Sequence, residues 1–219
     1  MKSIQQIIEE QVQRWQVLTR EKKVLPAKRS VISISREPGS GGRIIATELA
    51  NKLGFDLFHQ EVLHQMAQSA HVDTRLVETL DEKGLNLLEE TISSVVNEHH
   101  LWPDEYLKHL MKVVGVIGEH GRCVLVGRGA NFILPRERCL RVRVVAPLAV
   151  RVKRVCTEFG LSPEDAKRRV IRTESDRRAF VRKYFYADVS DPLNYDMIVN
   201  TEYLSISDAV ESIRCVVEA

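Results

Sequence analysis

The stretch Ser35-Arg36-Glu37-Pro38-Gly39-Ser40-Gly41-Gly42-Arg43 concentrates glycines, arginines and hydroxyls. Glycines let a backbone turn tightly and bring N–H groups close to a ligand. A helix starting there adds about half a positive charge at its N-terminus. Together these features suit an anion, phosphate above all. Arg36, Gly39, Ser40, Gly41, Gly42 and Arg43 are the candidate phosphate-binding residues. The plain alternative is an ordinary glycine-rich turn between a strand and a helix. The standard phosphate loop ends in Gly-Lys-Ser/Thr. Here Gly42 stands where the lysine belongs, and Arg43-Ile44 follow. Arg43 or Arg36 is expected to restore the charge, since a guanidinium grips phosphate in a fork. Ser35 and Ser40 are the candidate hydroxyls for Mg²⁺.

A second concentration of charge runs from Arg151 to Lys183 and includes Arg172, Arg177, Arg178 and Arg182. The plain alternative is a solvated helix face laced with i,i+4 pairs such as Glu164 with Arg168. The sharper reading is an electrostatic clamp, because phosphoryl transfer needs charge stabilisation more than covalent chemistry. Arg172, Arg177 and Arg182 are its candidates, with Asp176 placed to orient an arginine by a bidentate pair. RNA binding is a third reading, with Tyr184, Phe185 and Tyr186 as stacking platforms. Arg128 lies between Gly127 and Gly129 after an apolar run, where open α/β sheets place ligand-facing residues, and a structural turn is the plain alternative.

These residues need a scaffold. Val31–Ser35 reads as a strand, Ile44–Leu53 as a helix capped by Gly54, and Phe55–Phe58 as a short strand. Residues 60–120 are helical in pattern, punctuated at Gly84 and at Trp102-Pro103, with Pro103 suited to a helix first turn. Cys123–Val126 and Leu140–Val145 read as strands, and Pro147 begins a basic helix. Ser162-Pro163-Glu164-Asp165 is a helix start, and that helix runs to about Tyr186. Tyr195–Val199 and Ser207–Val217 complete the series as strand and helix. Alternating strands and helices imply a parallel sheet covered on both faces.

Ahead of this domain, Ile4, Ile7, Ile8, Val12, Trp15 and Leu18 form an apolar helical stripe that Pro26 and Lys28-Arg29 interrupt. Residues 1–27 are thus expected to be a helix and linker, docked on the domain or on a second copy as a homodimer contact. Its mixed-charge polar face argues against a membrane-surface helix.

The 219 residues carry 32 Lys and Arg against 30 Asp and Glu, a net charge of +2. That balance excludes a highly charged disordered chain and gives no global attraction for nucleic acid. Cys123, Cys139, Cys156 and Cys215 form no Cys-x-x-Cys pair, so reduced thiols are expected. No stretch approaches the ~20 apolar residues of a bilayer span, and a cytoplasmic location is expected.

The pattern resembles the cytidylate kinase-like family, a nucleoside monophosphate kinase branch of the P-loop proteins. The resemblance rests on Ile34–Glu37 with Gly39–Arg43, on Val126–Ala130, on Asp176–Arg178 with Tyr184-Phe185, and on Tyr195–Thr201. It implies an α/β three-layer fold for residues 28–219, with a five-stranded parallel sheet. It also implies a helical acceptor-binding insert at about 59–118 and an Arg-rich lid at about 157–190. The family's acidic residue after the second strand is His59 or Gln60 here. ATP and Mg²⁺ are the implied cofactors, nucleotides the implied partners, and a nucleoside monophosphate such as CMP the implied acceptor. Arg128 and Asp176 would bind that acceptor. The competing expectations are a nucleotide-binding sensor that has lost catalysis, favoured by the missing lysine and Ser/Thr, and a scaffold binding only inorganic anions.

Overall fold

Every residue from Val31 to Ile34 is buried, and Ile32 and Ile34 are wholly so. A strand this apolar on both faces belongs at the centre of a parallel sheet. The computed structural model, which describes residues 4–20 and 30–218, places it there. Strand β1 (Val31–Arg36) lies between β3 (Cys123–Val126) and β4 (Cys139–Val145), with β2 (Asp56–Phe58) and β5 (Met197–Asn200) at the edges. The order is β2-β3-β1-β4-β5, and all pairings are parallel.

Side-chain alternation sends Ile32 and Ile34 to one face, against Ile45 and Leu49 of α2 (Gly42–Leu53) and Val210 and Ile213 of α10 (Ile206–Glu218). Val31, Cys123 and Leu125 face the other way. They meet α3 (Gln60–Ala67), α4 (Ala70–Val77), α5 (Glu82–Glu98) and α6 (Glu105–His120), which form a helical insertion between β2 and β3. The result is the expected three-layer α/β arrangement. A short α7 (Ala130–Ile133) follows β3, α8 (Leu148–Phe159) follows β4, and the long α9 (Pro163–Phe185) precedes a 3₁₀ turn at Pro192–Asn194.

The N-terminal helix α1 (Ile4–Arg20) docks on its own domain. Ile8, Val12 and Trp15 are buried there, with the Trp15 ring stacked on His120 at 4.3 Å. Gln11 and Arg14 both hydrogen-bond Asp56. The described part of the stripe, Ile8, Val12 and Trp15, thus packs within one chain. The Ile4, Ile7 and Leu18 side chains, and the break at Pro26 and Lys28-Arg29, lie outside the described residues.

Several local expectations need correction. Gly84 does not punctuate the insertion. It sits in the first turn of α5, where its N–H donates to the Asp81 cap at 2.8 Å. Pro103 precedes the helix rather than joining its first turn, because Asp104 is the cap and accepts from the Leu107 amide. Pro147 likewise caps α8 from outside. Tyr195 stays out of β5, its hydroxyl donating instead to the Val189 carbonyl at 2.8 Å. Arg168 pairs with Asp165 rather than Glu164. Ser162 and Pro163 begin α9 as expected, and Gly54 caps α2 in the left-handed conformation.

Candidate functional site

The glycine-rich stretch forms the turn between β1 and α2. Gly39 and Gly41 both have positive φ, 78° and 82°. A Cβ on Gly39 would meet the Arg151 carbonyl oxygen at 2.5 Å, so the loop backbone lies directly against α8. Gly41 caps α2 with no side-chain bond. The first amides of a helix have no intrahelical acceptor, so a side-chain-free cap leaves them for a ligand. The loop is braced from behind. The Ser40 carbonyl accepts from the Thr201 hydroxyl at 2.7 Å, and Thr201 in turn accepts from Arg154 at 2.8 Å.

Beside the loop, at the C-terminal ends of β1 and β3, lies a cleft of about 220 Å³. Arg36, Arg128, Arg143, Arg177 and Arg178 line it, with Gln60, Asn131 and Asp176. Arg128 has φ 54° between two glycines of positive φ. A non-glycine residue held there is strained, a feature that clusters at functional sites. Its guanidinium lies 5.1 Å over the Phe180 ring of α9. Arg177, also on α9, donates to the Arg36 carbonyl at 2.8 Å. Arg128 Nε, Arg177 Nε and Asn131 Nδ2 are buried with no protein partner. Buried donors of this kind are satisfied by water or by a ligand entering the cleft.

The electrostatics agree. Burial and the charge of Arg177 lower Arg36 to about 9. Burial, with Arg143 and Arg128 nearby, lowers Arg177 to about 10 despite Glu61. Burial lowers the His59 imidazole, helped by Arg43. The cleft therefore holds cations at close quarters, an arrangement that an anion relieves.

A carboxylate network fixes the frame. The Glu37 side chain accepts from the Ala146 amide at 3.1 Å and pairs with Arg151 at 3.3 Å. Arg151 is buried and reaches Glu174 of α9 at 2.9 Å. It thereby joins the glycine-rich loop to the long helix. Sequence reasoning did not single out Glu37, Asn131, Arg143 or Glu174 as site residues, and it named Gln60 only as standing where the family has an acid and Arg151 only as one end of the charge concentration. Glu37 carried a signal, being an acid inside a basic loop, whereas Asn131 and Arg143 meet the site only through the fold.

The candidate residues divide by position. Arg36, Arg128, Asp176 and Arg177 line the cleft. Arg43 is exposed on the first turn of α2, close enough to act electrostatically on His59 and Glu61. Arg172 and Arg182 are exposed on α9 and do not line the cleft. Asp176 faces the cleft, while Glu174 makes the pairs with Arg151 and Arg178. Phe185 is buried and stacks on Phe132 at 5.2 Å, and Tyr184 packs against Phe180 at 4.9 Å, which is core packing rather than an open platform.

The hydroxyl candidates for Mg²⁺ are already committed. Ser40 is fully buried and its hydroxyl donates to the Glu37 carbonyl at 2.9 Å. Ser35 accepts from Arg143 at 2.9 Å, a cationic neighbour that repels a metal. Among the described residues no group of three or more His, Cys, Asp or Glu side chains is placed to hold a metal ion. These side chains do not fit a protein-built magnesium site.

A parallel sheet whose central strand runs into a glycine-rich turn, beside a cleft lined by arginines, defines a kinase fold of the P-loop class. Residues 31–203 match the model of the cytidylate kinase-like family, and the chain belongs to that family. Among its relatives is a cytidylate kinase of Ignicoccus hospitalis, 27% identical and covering 84% of this chain and 97% of that protein. A cytidylate kinase of Methanopyrus kandleri is 25% identical, covering 86% and 93%. An uncharacterized protein from Eubacterium ventriosum shares the fold with a TM-score of 0.67 at 21% identity, covering 86% of this chain and 97% of that one. No helix of the described residues is long and apolar enough to cross a membrane.

Proposed function

We propose that this protein transfers the γ-phosphoryl group of ATP to a nucleoside monophosphate, CMP being the first acceptor to test. The observation that carries this reading is the convergence of Arg36, Arg128 and Arg177 on one cleft at the end of the phosphate loop. Family membership and cytidylate kinase relatives support it. In the reaction an acceptor phosphate oxygen attacks the γ-phosphorus in line. The bond from that phosphorus to the β–γ bridging oxygen breaks, and ADP leaves with the electron pair.

The loop amides and Arg43 would hold the donor phosphates, and Arg128 and Asp176 the acceptor. Arg177 would stabilise the charge in transit. Arg172 and Arg182 would join it by movement of α9. Magnesium, if required, would come with the nucleotide on phosphate oxygens and water. None of the roles above depends on a protein-held ion.

The test is ADP release from purified protein with ATP, Mg²⁺ and a panel of monophosphates. Release that depends on one acceptor and is lost in Arg177→Ala supports the enzyme. Tight ATP binding without turnover would support a sensor instead, a reading favoured by the committed hydroxyls of Ser35 and Ser40. No rise in melting temperature at millimolar ATP would leave only an anion-binding scaffold.

A further inference from the structure

Counted back from Gly41 as its last glycine, the standard motif has its first glycine at position 36 and its lysine at 42. This chain has the two exchanged in kind, an arginine at 36 and a glycine at 42. The structure gives the exchange a physical reason. A Cβ on Gly42 would lie 2.6 Å from Arg36 Cβ and 3.1 Å from its Cγ. No side chain fits at 42 while the stem of Arg36 crosses there. The far end of Arg36 is equally confined. A Cβ on Gly127 would lie 2.3 Å from Arg36 Nη1, and Gln60 accepts from Nη2 at 2.8 Å. Arg36 thus runs along a corridor floored by two glycines and ends in the cleft, steadied by Gln60. Its guanidinium is half-buried, with Arg177, Arg43 and Arg128 as cationic neighbours and Glu61 as the opposing charge.

We infer that Arg36 is the polyphosphate-binding cation of this loop, supplied from the first position of the motif instead of the lysine position, and that 42 must be glycine because position 36, the motif's glycine, here carries a side chain. A half-buried cation held among other cations is favoured by the arrival of an anion. The guanidinium reaches the arginine cleft beside Gly127 and Gln60, at the end of the strand that leads into the loop. The inference deepens the phosphotransfer reading and rests on it only for the identity of the polyphosphate.

The two ideas are tested separately by measuring tripolyphosphate and ATP binding by calorimetry alongside ADP release. Arg36→Ala is expected to weaken tripolyphosphate about 10- to 100-fold, the range for losing hydrogen bonds to a charged group. Arg36→Met keeps the stem over Gly42 and removes only the charge, so it should lose as much if the charge is what binds. Gly42→Lys alone, which restores the motif lysine, should bind worse than the parent because it strikes the Arg36 stem. The double variant R36G/G42K should recover most of the loss.

Unchanged tripolyphosphate affinity in Arg36→Met, or tighter binding in Gly42→Lys alone, overturns the inference. Should Arg36→Ala not fold, as judged by its thermal melt, Arg36→Met decides alone. Parent binding that depends on Arg36 without any acceptor-dependent ADP release sinks the kinase reading and leaves the exchange standing. Normal ADP release by Arg36→Met does the reverse.

Discussion

Arg177 Nη1 donates to the carbonyl of Arg36 across 2.8 Å, although the two residues are far apart in sequence and their side chains repel. The bond ties the long helix α9 to the start of the glycine-rich turn, while both arginines still line the cleft. Like charges tolerate such proximity when a shared anion is the intended partner.

Replacing Arg177 with alanine removes a cation from the cleft and the tie to the loop. The turnover number is expected to fall about 10³-fold, at the lower end for a transition-state arginine. Loss of one hydrogen bond costs about 1 kcal/mol, so melting should shift by only about 2–4 °C. Steady-state kinetics beside a thermal melt check both halves, and a collapse in stability equal to the loss in rate would assign Arg177 to the scaffold.

Arg151 makes the contrasting case. It is buried and bridges Glu37 and Glu174, so its removal strands carboxylates rather than vacating a ligand site. Arg151→Ala is expected to destabilise the fold by about 3 kcal/mol. In a domain of this size that is roughly 6–12 °C of melting temperature. Denaturant titration measures it, and a change under 1 kcal/mol would show that the bridge contributes little.

His120 predicts a pH response of stability. Burial against Trp15 lowers its folded pKa to about 4, while the unfolded chain titrates near 6.5. Below pH 6.5 the unfolded state takes up a proton that the folded state refuses. Stability from this residue is therefore complete above pH 6.5, declines as pH falls toward 4, and changes no further below that. The loss is at most about 3 kcal/mol. Urea melts from pH 7.5 to 4 should show this slope, and His120→Leu should flatten it. An unchanged slope in the variant would place the titration elsewhere.

Thiol reactivity should separate the cysteines by position. Cys215 is exposed and Cys156 partly so, while Cys123 and Cys139 are buried, with burial raising Cys139 to about 12. The thiolate is the reactive form. Native labelling should modify Cys215 first and Cys156 more slowly, with Cys123 and Cys139 reacting only after unfolding. Early modification of Cys139 would contradict the sheet at that position.

Much of the fold was legible in one dimension because the signals are local. The run Val31–Ile34, the cap pair Ser162-Pro163 and the helix stop at Gly54 depend on neighbours within a few residues, and hydrophobic periodicity needs nothing more. Gly84 and Pro103 misled the reading because the decisive residues were the caps Asp81 and Asp104, whose side chains satisfy the first-turn amides. The stripe on α1 was equally legible, yet periodicity names an apolar face and not its partner. Only packing decided that Trp15 meets His120 of the same chain.

The site divides in the same way. The glycine spacing, the missing lysine and the arginines of α9 are written in the order of residues, because loop geometry and charge density are properties of a short segment. Which arginines meet is not. Arg36, Arg128 and Arg177 come from a strand end, a second strand end and a distant helix, and Arg172 falls outside their cleft although it lies on the same helix as Arg177. A helix turns about 100° per residue, so neighbours in sequence point in different directions. Position 42 shows the limit most clearly. The chain records a glycine there, and only the path of Arg36 across it gives the reason.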